Sequence, residues 1–419
     1  MSVATHPTPP APGTARKRRL PRLWWLAAAV LVMLAISTLR VVTGADDIAS
    51  SGTVRATLIA LVPIMLAGLG GLWSERAGVV NIGLEGMMVL GTFGAGYFAY
   101  HYGAWAGVAG ALLLGMIGGL IHATATVVFG VDHIISGVAI NIIAVGAVQY
   151  LASLTFVGLP GGGATQSPKL PNVGSITIGP LSDALGEVEE QDIFFVSEVA
   201  AVARALVTNL SWLVVIAFLL LFVTYWGLWR TSFGLRLRST GESPSAAESL
   251  GVAVLRYKFI AVLISGALAG LAGGFLAMVA SSNYRDGQTG GRGYIGLAAM
   301  IFGNWRPGGL LAGSGLFGYT QTLGLRQGGT SVHALLLAVA VLAIGLAGYQ
   351  LYRKQVPLAV GILVAAAALI AVYAAIDVVP GDFVNITPYV VTLLVLAFAS
   401  QRLRMPAADG QVYRKGSAG

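Results

Sequence analysis

The chain has no cysteine and little charge: of its 419 residues, 10% are Asp, Glu, Lys or Arg, while 56% are hydrophobic. Soluble domains carry about 25% charged residues, so a water-soluble domain is excluded. The lack of cysteine removes any disulfide framework and any thiolate metal site. The five histidines are scattered at 6, 101, 122, 133 and 333, with no metal-ligand spacing. His133 follows Asp132, a pairing expected at a helix start. No G-x-x-x-x-G-K-[ST] phosphate loop occurs, so nucleotide hydrolysis of that kind is excluded. No segment gathers the His, Asp, Glu and Ser that catalysis needs, and no catalytic residue, metal or cofactor is expected.

What remains is a chain built to lie in a bilayer. Apolar runs long enough to span recur along it. They lie near 24–42, 54–73, 84–101, 105–128, 134–157, 210–229, 258–281, 332–352, 356–376 and 387–401. A further apolar region, 294–325, is broken by Asn304-Trp305-Arg306-Pro307-Gly308-Gly309. The fold class is all-α: a polytopic transmembrane helical bundle of about 10–12 spans, with interrupted helices and a two-half repeat. The repeat rests on an echo, Ile82-Gly83-Leu84-Glu85-Gly86-Met87 against Ile295-Gly296-Leu297-Ala298-Ala299-Met300.

The formal net charge of +8 does not point to nucleic acid. Basic residues sit in short segments beside apolar runs, the pattern of cytoplasmic loops. Residues 1–23, with Arg16, Lys17, Arg18, Arg19 and Arg22, read as a disordered cytoplasmic tail. Residues 24–401 are expected to form the transmembrane body, and 402–419 a second cytoplasmic tail. The acidic segment 158–209 falls outside, and the basic segment 230–257 falls inside.

Polar groups at membrane depth mark the candidate path. Ser74-Glu75-Arg76 leads through Gly78 to Asn81 and Glu85, between two apolar runs. Ionisable groups there are costly and usually face a bundle interior or a cavity. Glu75 and Arg76 fit a solvated helix end equally well. Asn81, Glu85, Asn141 and Asn304 are the candidate path residues, the competing role being helix–helix hydrogen bonds. Farther on, Ser243 can cap a short helix with Pro244 in its first turn. Ala246, Ala247 and Glu248 favour helix, and Gly251 ends it. With Gly241 before it, this helix reads as a cytoplasmic docking element, because it lacks a membrane-binding face. Ala247→Arg is the sequence-level probe of that contact. Gly266, Gly270 and Gly274 make a small-residue face for close helix packing.

Three motifs carry a family resemblance: S-E-R-A-G-V-V-N-I-G-L-E-G-M-M at 74–88, the loop G-L-R-L-R-S-T-G-E-S-P-S-A-A-E-S-L-G-V at 234–252, and G-R-G-Y-I-G-L-A-A-M-I-F-G-N-W-R-P-G-G at 291–309. Over roughly residues 55 to 400 the chain resembles the permease subunits of bacterial ABC importers for ribose-type sugars, branched-chain amino acids and nucleosides. N-I-G-L-E-G-M-M and A-A-M-I-F-G-N-W are most similar to the nucleoside branch. The resemblance implies a non-enzymatic path in the bacterial inner membrane, with both termini cytoplasmic. It implies three partners: a cytoplasmic ATP-binding subunit, an extracytoplasmic substrate-binding lipoprotein, and a second, like or unlike, permease. Membrane lipid surrounds the assembly. The competing class is an ion- or proton-coupled transporter using Glu85. The basic N-terminus, the acidic loop and the run at 356–376 depart from the family pattern.

Overall fold

A computed structural model describes residues 24–326, 328–384, 386–387, 390, 403–414 and 416. The tail at 1–23 and nearly all of the expected span at 387–401 lie outside the described residues.

The chain folds as a helical bundle with almost no strand. Among the described residues, the helices of six or more residues are α1 (Trp24–Thr43), α2 (Ser51–Arg76), α3 (Leu84–Tyr102), α4 (Ala104–Ala123), α5 (His133–Thr155), α6 (Gly179–Glu189), α7 (Val196–Val207) and α8 (Trp212–Arg230). They continue as α9 (Ser232–Glu242), α10 (Pro244–Ser249), α11 (Val254–Phe275), α12 (Arg292–Phe302), α13 (Pro307–Arg326), α14 (Gly329–Tyr352) and α15 (Val356–Ala375). Seven of the described helices are long and apolar enough to cross a membrane. α3 and α13 have 19 and 20 residues, long enough to span, but their Gly, Tyr, Thr and Gln content makes them less apolar. They are packed inside the bundle, where lipid does not select for apolar surface. The apolar region at 294–325 resolves into α12 and α13, separated by a turn in which Asn304 and Trp305 take positive φ.

α2 and α11 form the centre. In each, 78% of the most apolar window is buried, against 11% for α15, which leaves α15 on the rim. The small-residue face expected on α11 explains how the centre closes. A Cβ on Gly266 would stand 2.5 Å from Gly115 O, and one on Gly270 would stand 2.2 Å from Ala111 O. Only glycine allows α11 and α4 to approach this closely, as helices do where packing replaces the hydrophobic drive. Both α4 and α11 end in a wider π-type turn, Thr124–Val128 and Leu276–Ala280.

The segment at 158–209 is structured, not a plain connection. It holds α6, α7 and a two-residue ribbon pairing Ser175 with Ser211 and Ile176 with Leu210. Arg204 bridges to Glu189 at 3.0 Å inside this lobe. Glu189 also accepts a bond from Ser51 N at 2.8 Å, which places its charge at the start of α2. Arg40 of α1 holds Asp192 and the buried Glu198, each at 2.9 Å. The lobe is therefore clamped to the first two helices.

Candidate translocation path and coupling face

The sequence marks 74–88 as a break, and the structure shows its form. α2 ends at Arg76, residues 77–83 run without regular helix, and α3 starts at Leu84. Gly78 makes the turn with φ +81, and three elements crowd it. A Cβ there would stand 3.0 Å from Lys258 Nζ, 3.1 Å from Ala408 O and 3.1 Å from Gly241 Cα.

Glu85 sits in the first turn of α3. Its Oε1 accepts from Gly291 N at 2.8 Å and its Oε2 from Gly293 N at 2.7 Å. A carboxylate at a helix start satisfies orphan N–H groups and the helix dipole, so Glu85 fixes the start of α12. Asn141 of α5 joins the same cluster. Its Oδ1 accepts from Gly86 N at 2.7 Å, and its Nδ2 reaches Ile82 O at 3.0 Å and Tyr294 Oη at 2.9 Å. Glu85, Asn141 and Tyr294 thus join α3, α5 and α12 at one polar point, with Tyr294 47% exposed.

Asn81 and Asn304 lie elsewhere. Asn81 is fully buried; it donates to Ser265 Oγ of α11 at 2.9 Å. Asn304 lies in the α12–α13 turn, where its Oδ1 accepts from Arg404 N at 2.8 Å. The four sequence-nominated residues therefore occupy three places, and all four are held by hydrogen bonds. None lines the 310 Å³ cavity between α2, α8 and the lobe, which Arg55, Asn172, Ser175, Asn209, Ser211 and Ser282 line with apolar neighbours.

Glu75 and Arg76 are not a solvated helix end. Glu75 is 3% exposed and accepts from Trp305 Nε1 at 2.5 Å. Arg76 donates to Trp305 O through Nε at 3.0 Å and Nη2 at 2.6 Å, and stacks over Trp229 at 5.5 Å. Adjacent residues thus clamp both ends of one tryptophan, locking the end of α2 to the α12–α13 turn. Lys258 donates to Gly78 O at 3.0 Å on the same face. A run of ionisable residues in sequence signalled this junction; Trp305 and Lys258 carried no signal because they lie far away along the chain.

The short helix expected near 243–251 is α10. Ser243 precedes it, but its side chain makes no capping bond. The preceding loop is itself helical: α9 starts under a cap from Thr231, whose Oγ1 accepts from Gly234 N at 3.0 Å. Gly241 presses on α2, where a Cβ would stand 2.4 Å from Arg76 O. Pro244 opens α10 and Gly251 ends it with φ +81. Ala247 is 3% exposed and faces the body, whereas Ala246 is exposed and Leu250 is 85% exposed. Leu250, not Ala247, is the residue α10 presents outward. The hydroxyl of Tyr413 donates to Glu248 on α10; burial beside that carboxylate pushes the phenol up to about 12, so it remains a donor. His133 leaves the capping of α5 to Asp132, which accepts from Ile134 N and Ile135 N at 2.9 and 3.0 Å.

The described residues contain no group of three or more His, Cys, Asp or Glu placed to hold a metal. The model of the family described as "Branched-chain amino acid transport system / permease component" matches residues 53–346, and the chain belongs to that family. The guanosine ABC transporter permease protein NupQ of Bacillus subtilis is 36% identical over 65% of this chain and 81% of its own. The nucleoside ABC transporter permease protein NupC of Lactococcus lactis is 30% identical over 85% of this chain and 95% of its own. NupB of the same organism, also described as a nucleoside ABC transporter permease, is 20% identical over 65% and 72%. No solved structure matches the chain. The chain is a multi-pass membrane protein and a permease of an ABC transport system.

Proposed function

We propose that this permease imports nucleosides, driven by ATP hydrolysis on a separate subunit. The observation that carries the substrate is the similarity to NupC along 95% of that protein's length. The chemistry of the polar cluster is compatible: amides, a phenol and one carboxylate already engaged suit a neutral, hydrogen-bonding solute better than a charged one. Because both oxygens of Glu85 are held by Gly291 and Gly293, a proton-coupling role for Glu85 gains no support.

The face bearing α9, α10, Arg230, Arg236, Arg238 and Arg256 is cytoplasmic, by its basic character. Both tails lie there, and the acidic lobe lies outside. α10, with Leu250 at its tip, meets the ATP-binding subunit. Asn81, Glu85, Asn141 and Asn304 border the path through the broken segments. A substrate-binding lipoprotein delivers the solute to the outer face. Lactococcus lactis carries two permeases of this description, NupB and NupC, which supports pairing with a second, related permease.

Uptake of labelled guanosine, uridine, ribose and leucine, in cells with and without the gene, tests the assignment. Loss of nucleoside uptake alone is expected. Loss of ribose or leucine uptake with nucleoside uptake intact would overturn it.

A further inference from the structure

The C-terminal segment crosses the whole face that bears α9 and α10. Arg404 N is bonded to Asn304 in the α12–α13 turn at 2.8 Å. Ala408 N donates to Gly241 O at 2.8 Å, and Ala407 N to Glu242 Oε2 at 3.4 Å, at the end of α9. Gly410 lies against Val80 in the break between α2 and α3, and Val412 against Gly130 before α5. Tyr413 is bonded to Glu248 on α10. One short run of chain therefore touches α10, the broken segment and the α12–α13 turn together.

Asp409 is the unexpected part. It is 8% exposed, and its carboxyl lies against the Glu75 carboxyl and the Gly410 N–H. Around it stand the Glu75 carboxyl, the Lys258 ammonium and the Arg76 guanidinium. Burying a carboxyl beside a second carboxyl is costly, and a tail with no task would leave it in water. We infer that residues 403–414 form a strap that carries movement of α10 to the Glu75–Trp305 junction, with Tyr413 and Asp409 as its positioning residues. This rests on the ATP-driven reading above. α10 also meets the body through α9 and α11; the tail adds a direct tie from Glu248 to Asn304.

The test is solute moved per ATP hydrolysed in the reconstituted complex of both permeases, ATPase and binding protein. Tyr413→Phe lowers that ratio by about threefold or more, the equivalent of losing one ordinary, solvent-screened hydrogen bond. Recovery of the complex and its ATPase rate stay unchanged. Because the chain has no cysteine, Glu248→Cys with Tyr413→Cys can be joined by a short, reducible bis-thiosulfonate. The bridge restores the ratio, and reductant removes it again; a merely structural contact would alter recovery or melting and ignore the reductant. An unchanged ratio in Tyr413→Phe, a raised ratio, or a bridge that restores nothing overturns the strap. A parent complex that moves no nucleoside on ATP defeats the importer reading itself, and the strap with it.

Discussion

Removing the Glu85 carboxylate tests whether that residue holds the bundle together. It accepts two backbone bonds, at 2.8 and 2.7 Å, from the first N–H groups of α12. Bonds to a charged acceptor are worth about 1.5–3 kcal/mol each, and a charge at a helix start adds about 0.3–1 kcal/mol. Glu85 is half-buried, so water can partly replace it, and the lower end applies. Glu85→Ala is expected to cost about 3–4 kcal/mol. Glu85→Gln keeps one acceptor but turns an amide NH2 toward the second N–H, and should recover less than half of that. Space gives no alternative contact, since a Cβ on Gly293 would stand 2.7 Å from Glu85 Cα. The assay is thermal unfolding of the purified detergent-solubilised protein, followed by the fraction remaining monodisperse, beside nucleoside uptake in vesicles at several pH values. The expected order of stability is parent, then Gln, then Ala, with no shift in the pH profile of uptake. A Glu85→Ala protein that melts with the parent would refute the structural role. A Gln variant that loses only the pH dependence of uptake would restore the proton-coupling reading.

Gly270→Val forces side-chain atoms into Ala111 O, 2.2 Å from the Cβ position, and should reduce folded yield sharply, because overpacking costs about 1–3 kcal/mol or more. Gly146→Ala, with nothing within 4 Å, is the control and should leave folded yield at or above the parent's. Leu250→Arg should leave insertion intact and uncouple uptake from ATP hydrolysis, whereas Ala247→Arg should lower folded yield, since Ala247 is buried; equal behaviour of the two would count against α10 as the docking tip. A cysteine at Asn81 should resist aqueous thiol reagents in this conformation, while one at the half-exposed Tyr294 should react; rapid labelling at 81 would place water where the structure has Ser265. Burial pushes Asp409 up from 3.8 to about 7, against the opposing, lowering effects of its contact with the Glu75 carboxyl, of Lys258, of the Gly410 N–H and of Arg76. A raised acid favours docking when protonated, so the docked tail is firmest below the ordinary value and loosens as pH rises through about 7, by at most about 4 kcal/mol. Labelling of Ala408→Cys, corrected for thiol ionisation, should therefore rise from pH 5.5 to 7.5 and flatten in Asp409→Asn.

The sequence by itself determined that this is a membrane bundle, because the scarcity of charge and the length of its apolar runs leave the chain no soluble alternative. It marked breaks within 74–88 and at 304–309, because glycine, proline and polar side chains interrupt helices wherever they occur. It also placed the α11 glycines on one face, because four-residue spacing is a local property of a helix. It located α10 from Pro244 and Gly251, although the missing Ser243 cap and the helical form of 232–242 were settled by packing against α2 and α8. Only the tertiary structure decided which way these groups face. Ala247 and Leu250 are near neighbours on a short helix, and nothing local says which one meets the body. Glu75 reads equally well as a solvated end or a buried group until Trp305, some 230 positions on, closes over it. Asp409 and Tyr413 sit in a polar tail without pattern or periodicity; their partners Glu75, Lys258 and Glu248 are more than 150 residues away. Long-range pairings of this kind follow from how the bundle closes, and closure is set by the shapes of α2, α4 and α11 in contact rather than by any run of residues read alone.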